Sequence, residues 1–107
     1  MAKSVLKKAS SNPEYIEKEA TDDILVRMYD PGKKDKTRAS LTLEVGGGKM
    51  VIYGNAVNGK SGWFFSYPQY KSKDGEYKNL VFALDREIND AISSALEEAA
   101  DAYGVAN

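Results

Sequence analysis

The chain has 107 residues, 42% of them hydrophobic and 29% charged, which bounds it to one globular domain with a modest core and argues against global disorder. Cysteine and histidine are both absent, which excludes a disulfide framework, a thiolate or imidazole zinc site, and histidine-based acid–base catalysis. The net charge of −1 conceals a pattern: residues 24–83 carry ten basic and five acidic side chains, whereas 84–107 carry six acids and one arginine, so a basic block between acidic flanks points to an anionic partner.

Taken in chain order, residues 1–22 are rich in lysine, serine and acids, with Pro13 in the middle, and read as an arm or linker preceding a single nucleic-acid-binding domain over 23–107. DILVRMYD at 23–30 alternates weakly and reads as a strand; the basic PGKKDKTR that follows reads as a loop. RASLTLEV at 38–45 alternates cleanly, with Ala39, Leu41, Leu43 and Val45 on one face. GGGK at 46–49 turns the chain into a third strand, KMVIYGNAV, and NGKSG at 58–62 turns it into the aromatic strand WFFSY, which Pro68 stops. Asp74-Gly75 predicts a tight turn before a last strand, YKNLVFAL at 77–84. The period then becomes helical: Ile88, Ala91, Ile92, Ala95, Leu96, Ala99 and Tyr103 fall on one face, with Asp85 as the N-terminal cap and Gly104 as the C-terminal stop. The expected fold is α+β: a curved five-stranded antiparallel sheet, able to close into an OB-like barrel, with one C-terminal helix. No apolar run has the length of a membrane span or a secretory leader, so the expected location is cytoplasmic.

GNAVNGKS at 54–61 matches the phosphate-loop pattern G-x-x-x-x-G-K-[ST] letter for letter. A working phosphate loop aims a helix N-terminus at the phosphates. Here the residues after Ser61 are GWFFSYP, a strand-forming aromatic run closed by a proline, and no crossover helix precedes residue 85. Asp85, at the end of LVFALD, imitates a magnesium-binding aspartate but serves better as a helix cap. The motif reads as a glycine-rich turn; neither catalysis nor a cofactor is expected.

Eight of the eleven aromatic residues lie between Tyr53 and Phe82, interleaved with Lys60, Lys71, Lys73 and Lys78. Nucleobases stack on aromatic rings while lysines track phosphates, so this mixture predicts a single-stranded nucleic-acid surface. The candidate stacking residues are Tyr53, Trp63, Phe65, Tyr67, Tyr70 and Tyr77, with core or dimer interface as the competing reading for Trp63 and Phe65. Phe64 and Phe82 are expected in the core. The candidate phosphate contacts are those four lysines, joined by Arg27, Lys33, Lys34 and Arg38, with Lys36 in the same basic loop.

Gly62-Trp63-Phe64, then Pro68, then Asp74-Gly75-Glu76-Tyr77-Lys78 resembles the SpoVG septation-regulator family at ungapped spacing, and Val51–Val57 resembles the strand before it. That resemblance implies a small antiparallel-sheet dimer that binds nucleic acid, with Lys71 in a basic turn. The acidic C-terminal helix departs from what nucleic-acid contact there would need. The whole chain also resembles small single-stranded DNA-binding proteins of lactic-acid-bacteria phages, which implies an aromatic and basic strand surface on an OB-like barrel. The leading expectation is sequence-tolerant binding of single-stranded DNA in phage replication or recombination. It would act as a homodimer in the infected host, alongside phage replication or recombination proteins and away from membranes. The alternatives are a SpoVG-like DNA- or RNA-binding regulator, and a phage protein-interaction module that inhibits a host factor through its acidic 12–23 and 84–107 segments.

Overall fold

A computed structural model describes residues 14–104. Five strands form one antiparallel sheet in chain order: β1 Tyr15–Thr21, β2 Ile24–Tyr29, β3 Lys36–Val45, β4 Gly48–Gly59 and β5 Gly62–Ser66. A separate two-stranded hairpin follows, β6 Gln69–Lys71 with β7 Tyr77–Asn79, and then one helix, α1 Arg86–Tyr103. The fold is α+β, as expected. The helix packs on both edge strands, β1 and β5, and on β2. A helix reaches both edges only of a sheet that curls, and the result is a half-barrel consistent with an OB-like fold, α1 lying across its open side. No helix among the described residues is long and apolar enough to cross a membrane.

Strand alternation decides which side chains enter the barrel. Val26 and Met28 of β2, Ala39 and Leu41 of β3, Ala56 of β4, and Trp63 and Phe65 of β5 are buried on the concave face. They meet Ile92, Ala95, Leu96, Ala99, Ala100 and Tyr103 of α1. The alanines keep that helix face thin, so its backbone approaches the sheet closely. Gly54 has the same purpose in β4: a Cβ there would collide with the Phe65 ring and the Ser66 carbonyl. Asp85 takes the N-cap backbone conformation without a side-chain capping bond, and Gly104 ends α1 in the left-handed region at φ 80°.

Several expectations need correction. Five strands do form the main sheet, but not the expected five. Residues 15–21, read as part of an arm, are strand β1, paired along β2 from Tyr15↔Tyr29 to Thr21↔Ile24. Alternation was masked there because β1 is an edge strand with one polar face and a bulge between Glu19 and Thr21. Residues 1–13 of the expected arm lie outside the described residues. The expected last strand, 77–84, is strand only over Tyr77–Asn79, and it pairs with β6 rather than joining the sheet. Among the described residues, Leu80–Leu84 pairs with no strand. Phe64 and Phe82 are not core: they are 44% and 58% exposed, Phe64 because alternation sends it to the convex face, Phe82 because it lies in that irregular connection.

Candidate nucleic-acid interface

Lys60 and Ser61 occupy the tight turn joining β4 to β5, closed by the pair Gly59↔Gly62. No helix starts there, so the phosphate-loop letters form a β-hairpin. The sequence-predicted site residues fall into four groups.

The first group is buried. Trp63 is 1% exposed and Phe65 is 6% exposed, both beneath α1, which removes both from any stacking surface. Tyr67 is half-buried: its ring meets Phe65 edge-on at 4.9 Å, and its hydroxyl is bonded to Asn89 Oδ1 at 3.0 Å. Burial holds the Tyr67 phenol above its ordinary range. These corrections share one cause: alternation places Trp63, Phe65 and Tyr67 on one face, and the helix covers that face.

The second group is the β6–β7 hairpin. Its register pairs Tyr70 with Lys78 and Lys71 with Tyr77. Alternation then puts one tyrosine–lysine pair on each face of the ribbon, and all four residues are exposed. Lys73 stands exposed in the turn. That turn is well built: Gly75 N–H donates to the Ser72 carbonyl at 3.0 Å, Glu76 N–H donates to Asp74 Oδ1 at 3.1 Å, and the Ser72 hydroxyl also donates to Asp74. The Ser72 hydroxyl first, then the Glu76 N–H, hold the Asp74 carboxyl below its ordinary range.

The third group gathers at one end of the sheet. Lys33 and Lys34 lie exposed in the β2–β3 loop, and Lys36 opens β3 opposite Val57. Asn58 N–H donates to the Asp35 carbonyl at 2.8 Å, which fastens that loop to β4 just before the turn carrying Lys60.

The fourth group lies on the convex face of the sheet. Glu17, Arg27, Ser40 and Tyr53 form one cross-strand row. The Arg27 guanidinium sits 4.1 Å from the Tyr15 ring centroid and donates to Glu17 at 2.6 Å from Nη2 and 3.1 Å from Nε. That carboxylate is the leading cause of the raised Arg27 pKa. Arg38 stacks over Tyr29 at 4.5 Å and shares a row with Asn55 and Ser66. Sequence reasoning missed Tyr15, Tyr29, Asn55 and Phe64 on this face. The signal for Phe64 was present, since its parity opposes that of Trp63 and Phe65; Tyr15 was hidden by the arm reading.

A cavity of about 360 Å³ opens where β5, the hairpin base and α1 meet, lined by Phe64, Phe65, Tyr67, Phe82 and Asn89 among others. Among the described residues no cluster of acids could hold a metal ion.

No protein-family model and no solved structure matches the chain. Curated relatives do. A protein of Lachnospira eligens named septation protein SpoVG is 27% identical over 74 residues, covering 69% of this chain and 84% of the relative. One of the same name from Symbiobacterium thermophilum is 33% identical over 77 residues, covering 72% of this chain and 55% of the relative. One from Clostridium perfringens is 27% identical over 75 residues, covering 69% and 80%. These relatives lend the phage likeness no support. The chain is similar to SpoVG septation proteins, over a longer stretch than the residues 51–80 from which the resemblance was read.

Proposed function

We propose that this protein is a nucleic-acid-binding regulator of the SpoVG kind, acting by occupancy rather than by catalysis. The observation that carries the reading is the β6–β7 hairpin, which presents Tyr70 with Lys78 on one face and Lys71 with Tyr77 on the other, all exposed. A ribbon that offers cations and aromatic rings on both sides suits a groove or backbone of nucleic acid. Lys33, Lys34 and Lys60 supply a second set of phosphate contacts at the end of the sheet. The similarity to proteins named SpoVG favours the regulator over a phage replication or recombination protein. A homodimer belongs to the same reading, because Leu80, Phe82 and Leu84 are exposed in one short segment and need cover.

The test is fluorescence anisotropy with labelled duplex and single-stranded oligonucleotides at two salt concentrations. Affinity is expected to fall steeply between about 50 and 200 mM salt. Reversing charge with Lys71→Glu, Lys73→Glu and Lys78→Glu together is expected to weaken every probe at least tenfold, roughly, through lost phosphate contacts. A native protein that binds neither duplex nor single strand at low salt would sink the reading.

A further inference from the structure

The convex face carries an arrangement that the hairpin lysines and the Lys33, Lys34 and Lys60 set leave unused. Arg38, Asn55 and Ser66 stand side by side in one cross-strand row. Tyr53 lies two residues from Asn55 along β4 on one side of that row, and Phe64, beside Val57, lies on the other. Both rings are open to solvent, Tyr53 at 74% and Phe64 at 44%. Strand geometry separates them by about 14 Å along β4, roughly the rise of four stacked bases in one strand.

The two arginines on this face are not equivalent. Arg27 is committed to Glu17, the one acid in its row. Arg38 is exposed, one face of its guanidinium rests on Tyr29, and among the described residues no carboxylate forms an ion pair with it or with Lys36. Stacking on Tyr29 limits the rotamers of Arg38, so less entropy is lost when its planar fork meets a ligand. The patch therefore offers two exposed rings, two unpaired cations, and an amide and a hydroxyl between them. An apolar protein partner would leave those cations desolvated without a counter-charge.

We infer that the convex face centred on Asn55 binds an unpaired nucleic-acid strand. Bases stack on Tyr53 and Phe64, Asn55 and Ser66 meet base edges, and Arg38 and Lys36 meet phosphates. A duplex hides the base faces this site requires, so the site selects unpaired strands, whether DNA or RNA. The inference rests on the nucleic-acid reading above, but its residues are distinct from those of the hairpin.

The experiment uses the full chain with short oligo-dT, oligo-U and duplex DNA. Tyr53→Ala with Phe64→Ala is expected to weaken both single strands by about 10- to 100-fold and leave duplex affinity unchanged. Asn55→Asp, placing a negative charge in the row, is expected to do the same, and thermal melting of each variant checks the fold. Oligonucleotides carrying iodouracil are expected to photocrosslink to Tyr53 or Phe64 in the native protein. Lys71→Glu with Lys73→Glu separates the two readings, because it is expected to weaken all probes. If that variant weakens binding while the convex-face variants do not, or if they weaken duplex and single strand equally, the inference is overturned and the nucleic-acid reading stands. Crosslinks confined to hairpin residues also overturn it. Failure of the native protein to bind any probe overturns both.

Discussion

The Glu97 carboxylate accepts a hydrogen bond of 2.6 Å from the backbone N–H of Trp63. This contact ties the middle of α1 to β5, the last strand of the sheet, whose outer edge has no neighbouring strand among the described residues. An edge N–H left open is both a lost bond and a template for unwanted pairing; a carboxylate from the helix closes it.

Removing that acceptor is expected to destabilise the fold. Glu97→Ala should cost about 1–3 kcal/mol, the penalty of leaving a shielded donor unsatisfied. Gly62→Ala should also destabilise, because Gly62 has φ 112° and an added Cβ would run into the Glu97 carboxylate. The two changes share a contact, so the double variant should cost less than the sum of the singles. Urea melts of the three variants measure this, and strict additivity would refute the shared contact.

Trp63 is the chain's single tryptophan and is 1% exposed. Its emission is expected to be blue-shifted and resistant to acrylamide in the native protein. Nucleic acid at saturation should leave it unquenched by direct stacking. Strong quenching by oligo-dT would contradict the buried position. Leu96→Ala, in the core face of α1, should destabilise by about 2–5 kcal/mol and make Trp63 accessible to the quencher.

The Tyr103 hydroxyl donates to the Met28 carbonyl at 3.3 Å. Burial first, then Asp30 and Glu14, raise the Tyr103 pKa well above the ordinary phenol value. The folded state therefore holds the phenol proton more tightly than the unfolded chain. Its contribution is fully present below the unfolded value, about 10, and is lost progressively as pH rises beyond it. Stability is expected to be flat with respect to this group at neutral pH and to fall above about pH 10. In Tyr103→Phe the neutral-pH stability should drop through loss of the bond, and the alkaline slope should become shallower. Denaturant melts across the alkaline range check both; an unchanged slope would exclude Tyr103 as its source.

Leu84 is 88% exposed, and Leu80 and Phe82 are open beside it. Leu80→Ser with Phe82→Ser and Leu84→Ser should convert a dimer to a monomer in light-scattering measurements without lowering the melting temperature of the monomeric fold. A native protein that is monomeric at all concentrations would remove the dimer from the proposed function.

Much of the fold was legible in the chain. Strict alternation in 38–45, glycine turns on either side of β4, and the helical period from Ile88 to Tyr103 each act over short range, and each element appears where its local pattern places it. Local signals failed where an element depends on a distant partner. β1 looked like a linker because an edge strand needs only one apolar face. YKNLVFAL carried strand propensity, but only its first three residues found a partner, in β6.

The candidate site divides along the same line. The sequence by itself determined that lysines and aromatics crowd the middle of the chain, that Tyr70, Lys71, Tyr77 and Lys78 flank one turn, and that GNAVNGKS precedes a strand and not a helix. It also determined that Trp63, Phe65 and Tyr67 share a face and that Phe64 opposes them. Only the tertiary structure decided which of those faces meets water. That choice belongs to α1, which covers the concave side of the curled sheet, taking Trp63 and Phe65 into the core and leaving Tyr53, Asn55 and Phe64 with Arg38 outside. Burial of one face is a property of how helix and sheet pack, and alternation alone leaves the two faces physically equivalent.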